Sequence, residues 1–196
     1  EAMMSYFGRF NYNYMSKYLL EMNLRYDGSS KFRPENRWDF FYGFSGGWRL
    51  SEEEFMKNVK FVNELKLRLS YGVVGNQSGI SRYDGMQLYN FNSVNGAYIG
   101  DGRISYIKTS GEIATMGRSW ERIHNYNLGL DFHLFDSRLQ GTVELFMKKN
   151  NNMLIAVAYP GILGDKAPAS NSGKFEAKGY EGTVTWSDKI GKVNYH

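Results

Sequence analysis

The chain has 196 residues and a formal net charge of +4, with 24 Lys and Arg against 20 Asp and Glu, no Cys, and 16% aromatic residues. The two signs of charge are interspersed with no Lys/Arg block, which argues against nucleic acid as a partner; the lack of Cys rules out disulfides, thiolate metal sites and thiol nucleophiles. No signal peptide opens the chain at Glu1, and no apolar run approaches the roughly 18 residues of a membrane helix, so a helical membrane protein is excluded. A composition of 15 Tyr, 13 Phe and 4 Trp with 22 Gly and 3 Pro favours strands over helices.

The first predicted strand places Tyr6, Gly8, Phe10, Tyr12 and Tyr14 on one face, with Arg9, Asn11 and Asn13 opposite beside Phe7. After a tight turn at Ser16-Lys17, the second places Tyr18, Leu20, Met22, Leu24 and Tyr26 against Glu21, Asn23, Arg25 and Asp27, with Leu19 out of pattern. A helical step of about 100° would scatter both sets around its circumference. Aliphatic groups bracketed by Tyr suit a lipid-facing strand, with the rings at the headgroups, and each run supplies about the 9 to 11 residues a tilted membrane strand needs.

A polar loop from Asp27 to about Arg37 leads to a third strand, where Trp38, Phe40, Tyr42, Phe44, Gly46, Trp48 and Leu50 face away from Asp39, Gly43, Ser45, Gly47, Arg49 and Phe41. Ser51 with Glu54 reads as a capping box opening a short helical turn. The fourth strand sets Leu65, Leu67, Leu69, Tyr71 and Val73 outward and Lys66, Arg68, Ser70 and Gly72 inward. From Gly75 to about Arg118 no clean alternation persists, and the stretch reads as a long loop, an oddity in a compact soluble domain but expected on the outer side of a transport barrel.

The fifth strand starts near Trp120, with His124, Tyr126, Leu128, Leu130 and Phe132 opposing Asn125, Asn127, Gly129 and Asp131. A short turn at Phe135-Asp136-Ser137 leads to a sixth, where Leu139, Gly141, Val143, Leu145 and Met147 oppose Gln140, Thr142, Glu144 and Lys148. Asn150 to Gly173 reads as a second long loop. The seventh strand presents Tyr180, Gly182, Val184 and Trp186, and a turn at Ser187 to Gly191 starts an eighth. Short and long connections alternate. The reading is an all-β, antiparallel up-and-down transmembrane β-barrel segment of about seven or eight strands.

The runs Phe7-Gly8-Arg9-Phe10-Asn11-Tyr12-Asn13-Tyr14, Lys17-Tyr18-Leu19-Leu20 and Arg25-Tyr26-Asp27-Gly28-Ser29-Ser30 together resemble the barrel of SusC/RagA-type TonB-dependent transporters of Bacteroidetes. Gly47-Trp48-Arg49-Leu50-Ser51-Glu52-Glu53, Leu65-Lys66-Leu67-Arg68, Ser70-Tyr71-Gly72, Gly75-Asn76-Gln77, Asn127-Leu128-Gly129-Leu130-Asp131 and Gly179-Tyr180-Glu181-Gly182 continue it in order. One departure is Tyr42-Gly43, where the family usually has a proline and a small residue, and it bears on local strand geometry. The resemblance implies a barrel of about 22 strands, of which residues 1–196 are a part lacking the plug and the closing strands. It also implies a Gram-negative outer-membrane location, outer-membrane lipid around the wall, a SusD-like surface lipoprotein, the TonB complex, and glycan or peptide cargo.

Arg9, Glu21, Arg25, Arg49, Arg68 and Glu144 share the predicted lumen face, where ion pairing between neighbouring wall strands is the plainer role and cargo contact the alternative. Tyr83, Tyr98, Tyr106 and Trp120 are candidates to stack on cargo, against packing within the loops themselves. His124, His133 and His196 are too far apart for a local metal motif, and Glu52-Glu53-Glu54 suits a solvated helix start better than acid/base work. Gly100-Asp101-Gly102 reads as a turn, not a phosphate loop. The sequence presents no convergent catalytic set and implies no cofactor. The alternative from another class is a soluble, aromatic-rich carbohydrate-binding β-sandwich, whose outward Leu, Met and Phe would form a shared core.

Overall fold

The computed structural model describes every residue except 83–85, 93–97, 100, 101, 104, 105, 110–116, 157, 159, 161, 163–168, 191 and 192. In chain order the strands are β1 (Met3–Tyr14), β2 (Tyr18–Ser29), β3 (Trp38–Arg49) and β4 (Val62–Asn76), then four short ones. These are β5 (Tyr89–Asn92), β6 (Tyr98–Ile99), β7 (Gly102–Arg103) and β8 (Tyr106–Thr109). Next come β9 (Glu121–Leu134), β10 (Leu139–Ile155), β11 (Ser170–Trp186), β12 (Asp188–Ile190) and β13 (Val193–Tyr195). One seven-stranded antiparallel sheet runs β1-β2-β3-β4-β9-β10-β11, a meander in which each strand pairs with the next long one.

Register carries the period-two code across the sheet. Phe10, Met22, Phe44, Tyr71, Tyr126 and Met147 stand opposite one another in a row, and the next row is Asn11, Glu21, Ser45, Ser70, Asn127 and Phe146. Since directly paired residues share a face, the sheet has one mostly apolar side and one mostly polar side. The apolar side lies open: Leu20 is 51% exposed, Leu69 63% and Leu145 52%. Among the described residues the only other sheets are two-stranded. The shared core that a β-sandwich requires is therefore lacking, and that alternative is not favoured.

Aromatic residues close both ends of the apolar side. At the short-turn end Tyr14 stacks on Tyr18 at 6.5 Å, and Tyr18 on Trp48 at 6.4 Å. At the long-loop end Trp38 lies over Gly28 and stacks with Tyr26 at 5.0 Å and Tyr6 at 6.1 Å. Eight residues separate Tyr6 from Tyr14 along β1, roughly 27 Å of strand, which on tilting matches the apolar band of a membrane barrel.

The structure corrects several local expectations. The second long connection is 156–169, because bulges around Met153 interrupt alternation while β10 and β11 continue pairing to Ile155 and Ser170. The eighth strand does not join the sheet; β13 folds back on β12. Ser51 opens no capping box. It lies inside a 3-10 turn (Leu50–Glu52), a second follows at Glu54–Met56, and neither has a side-chain cap bond. Val73 is buried and Val74 exposed, the reverse of the expected alternation. The β3–β4 ladder ends at Gly43 opposite Gly72, so beyond it the two strands diverge and period two no longer reports a single face.

Candidate functional site

The polar side of the sheet carries most of the charge; Lys149, Glu176 and Lys178 pair on the other, in the register of Met147. Opposite-residue pairing places Arg9, Glu21, Arg25, Arg49, Arg68 and Glu144 on the polar face. Arg68 grips Asp131 with two bonds, Nε to Oδ2 at 2.7 Å and Nη2 to Oδ1 at 2.9 Å; Thr142 donates to Asp131 at 3.1 Å, and Glu144 lies 3.8 Å from Arg68. The guanidinium reaches across Gly129, where a Cβ would sit 2.8 Å from Nη2. A small residue on one strand thus makes room for a long charged one from the next.

Arg9 pairs with Glu21 at 2.6 Å, and Asn23 donates to the other Glu21 oxygen at 2.7 Å. Arg25 holds the buried Asp27 at 2.7 Å. Arg49 stands 4.0 Å from Glu64, which also faces His133 at 3.6 Å. Charge-assisted contacts of this kind, the two-bonded Arg68–Asp131 pair above all, fix side-chain position more than they stabilise half-exposed surfaces. Between these pairs runs a groove of about 530 Å³ lined by Asn11, Glu21, Ser45, Arg68, Ser70 and Asn127 among others. Leu19, Leu20 and Leu69 also line it, so its polar groups stand beside aliphatic ones.

A second cavity of about 420 Å³ lies where β3 and β4 diverge, lined by Arg25, Asp27, Phe41, Gly75, Gln77 and Trp120 among others. Phe32, Phe41, Val73, Ile80 and Trp120 are the buried hydrophobic residues of the described chain and form one cluster here. Trp120 is 3% exposed, its ring held between Phe32 at 5.0 Å and the edge of Phe41 at 5.5 Å, its Nε1 donating to the Arg37 carbonyl at 3.1 Å. The indole has no free face for cargo. Tyr83 lies outside the described residues, as do Gly100 and Asp101; Tyr98 and Tyr106 open β6 and β8.

At the short-turn end, Glu53 sits between the two 3-10 turns and gathers three donors. Lys17 Nζ bonds it at 3.1 Å, Tyr18 hydroxyl at 2.8 Å and Trp48 Nε1 at 3.1 Å. The bonds from Tyr18, Trp48 and Lys17 hold its carboxyl below the ordinary glutamate value of 4.5. Sequence reasoning left Glu53 as one of three solvated acids. Two of its three partners, Lys17 and Tyr18, come from another hairpin, and nothing local distinguishes it from Glu52 and Glu54 as their target.

Residues 3–195 match the family described as TonB dependent receptor-like, beta-barrel. The TonB-dependent receptor SusC of Bacteroides thetaiotaomicron is 34% identical over 186 residues, 93% of this chain and 18% of that protein. The TonB-dependent receptor P39 of Formosa agariphila is 35% identical over 190 residues, 93% of this chain and 17% of that one. The chain thus spans about a fifth of the length of these relatives. Among solved structures, the RagAB peptide importer in its open-open state superposes with a TM-score of 0.84 at 28% identity, over 97% of this chain and 20% of that one.

Proposed function

This chain belongs to the TonB-dependent receptor-like β-barrel family, and from that premise we propose that it supplies wall strands and extracellular loops of a SusC-type importer in a Gram-negative outer membrane. The observation that carries this reading is the two-sided sheet: an open, aliphatic face closed at both ends by Tyr and Trp, and behind it a polar face of paired charges. The first suits lipid and headgroups, the second a water-filled lumen.

In this reading the family's TonB coupling supplies the force that moves a plug carried elsewhere in the longer protein, and cargo passes along the charged wall with no bond broken. Arg9, Glu21, Arg25, Arg49, Arg68 and Glu144 line that wall, while Tyr83, Tyr98 and Tyr106 of the long connection meet cargo by stacking. A SusD-like surface lipoprotein covers the mouth. The cargo is a glycan or a peptide; the similarity to a peptide importer supports the second.

The test is made on the full-length protein in native outer membranes. It is expected to fractionate with the outer membrane, to co-purify with a lipoprotein, and to lose cargo uptake when TonB is deleted. A water-soluble 22.6 kDa species that binds carbohydrate without membranes would overturn the proposal.

A further inference from the structure

The five residues Arg118 to Arg122 each bind a different part of the long-loop end. Arg118 receives Asn36 Nδ2 on its carbonyl at 3.1 Å and donates Nε to the Ala169 carbonyl at 3.2 Å. Ser119 and the Asn171 amide exchange two bonds of 3.1 Å each, as two backbone groups would. Trp120 packs on Phe32 and donates to Arg37. Glu121, 6% exposed, accepts from Asn76 at 2.9 Å, Asn150 at 3.2 Å and the Leu154 amide at 2.6 Å. Arg122 closes the gap beyond the β3–β4 ladder by pairing with Asp39 through Nε at 2.8 Å.

One short segment therefore ties the bases of all three connections at this end: the polar loop Ser30 to Arg37 and the two long ones, 77–120, which it ends, and 156–169. Glu121 is the most constrained member. A buried carboxylate is costly unless its oxygens are bonded, and its three donors are neutral groups from β4 and β10 at the roots of two different loops. Such a centre has no slack: moving one loop base requires breaking bonds that also hold another.

We propose that Arg118 to Arg122 is a knot that couples the three loops of this end, with Glu121 as its positioning residue, so that displacing one loop base loosens the others. Asn171 supplies the sharpest probe, because its side-chain hydrogen bonds go to Ser119 and Asn152 and not to the Ser30 to Arg37 connection. In the full-length protein in detergent, Asn171→Ala is expected to raise amide hydrogen exchange in Ser30 to Arg37 about tenfold, with the folded-barrel gel migration unchanged. Asn171→Asp, which sets a carboxylate oxygen against the Ser119 and Asn152 carbonyls in place of the donor, is expected to raise it at least as much.

Glu121→Gln is expected to increase exchange at the roots of both 77–120 and 156–169, and Trp120→Phe to do so at Ser30 to Arg37. A rise confined to the N-terminal end of β11 in Asn171→Ala, with Ser30 to Arg37 unmoved, would overturn the coupling. The placement of the loops on the cargo side rests on the transport reading, but the exchange measurement uses no cargo. Failure of that reading and failure of the knot are therefore separable.

Discussion

Met15 and Ser16, and then Phe135, Asp136 and Ser137, hold positive φ values between 52° and 62° without a glycine among them. These are the tight turns of the short-connection end, where mirror-image turns match the twist of the flanking strands. Asn13 Oδ1 receives the Ser16 amide at 3.0 Å, and Asn63 Oδ1 the Ser137 amide at 3.0 Å, so side chains hold the left-handed backbone in place. A Cβ in that region costs roughly 1–2 kcal/mol. Asp136→Gly is therefore expected to stabilise the barrel by about 1 kcal/mol, read as a higher urea midpoint in lipid vesicles.

Glu53 makes a pH-dependent contribution at the same end. Because its folded-state carboxyl lies below 4.5, the contribution is complete above that value and is lost as pH falls through the folded value. Exchange of the Lys17 and 3-10-turn amides is expected to rise below pH 4.5 in the native chain. In Glu53→Gln the turns are looser at neutral pH and that acid-dependent step disappears; retention of the step would assign it to another group.

At the scale of elements, the parting of β3 and β4 decides the long-loop end. Residues from Trp38 to Tyr42 pair only with β2, and Val73 to Asn76 only with β9, so the opening is filled by side chains. A Cβ on Gly75 would clash with the Cζ end of the Phe41 ring, and Phe41 is 4% exposed with Trp120 against it. Gly75→Ala is expected to cost about 1–3 kcal/mol. Gly8→Ala, on an open strand with no atom within 4 Å of the new methyl, is expected to be close to neutral. Equal unfolding midpoints for the two variants would show that the aromatic cluster yields freely.

At the scale of the whole molecule, the sheet is stable only if something covers its apolar face. Five large hydrophobic residues are buried among the described ones, a small core for 196 residues, while Leu69 and Leu145 stand open. Lipid supplies the missing burial in the reading above. Leu69→Arg in the full-length barrel is expected to destabilise it in vesicles by about 2–4 kcal/mol, whereas Ser70→Arg, one residue on and facing the polar groove, is expected to change stability by less than about 1 kcal/mol. Equal losses at both positions would contradict the two-sided wall.

The sequence alone determined the seven strands of the main sheet, their two faces and the order of short and long connections, because each is written in neighbours two residues apart or in turn residues next to one another; the four short strands from Tyr89 to Thr109 carry no such pattern. It placed Leu69 and Arg68 on opposite sides, and brought Arg9, Glu21 and Arg68 to one face, with no knowledge of their partners. Only the tertiary structure decided which charges meet: Asp131 reaches Arg68 from a strand 63 positions away, and register between strands is not a local property. The same holds for Glu53, Glu121 and Trp120. Glu53 looked solvated and Trp120 looked available to cargo, yet Lys17 and Tyr18 reach Glu53 from another hairpin and Phe32 and Phe41 enclose Trp120, and the bulges near Met153 hid the ends of two strands from any period-two reading.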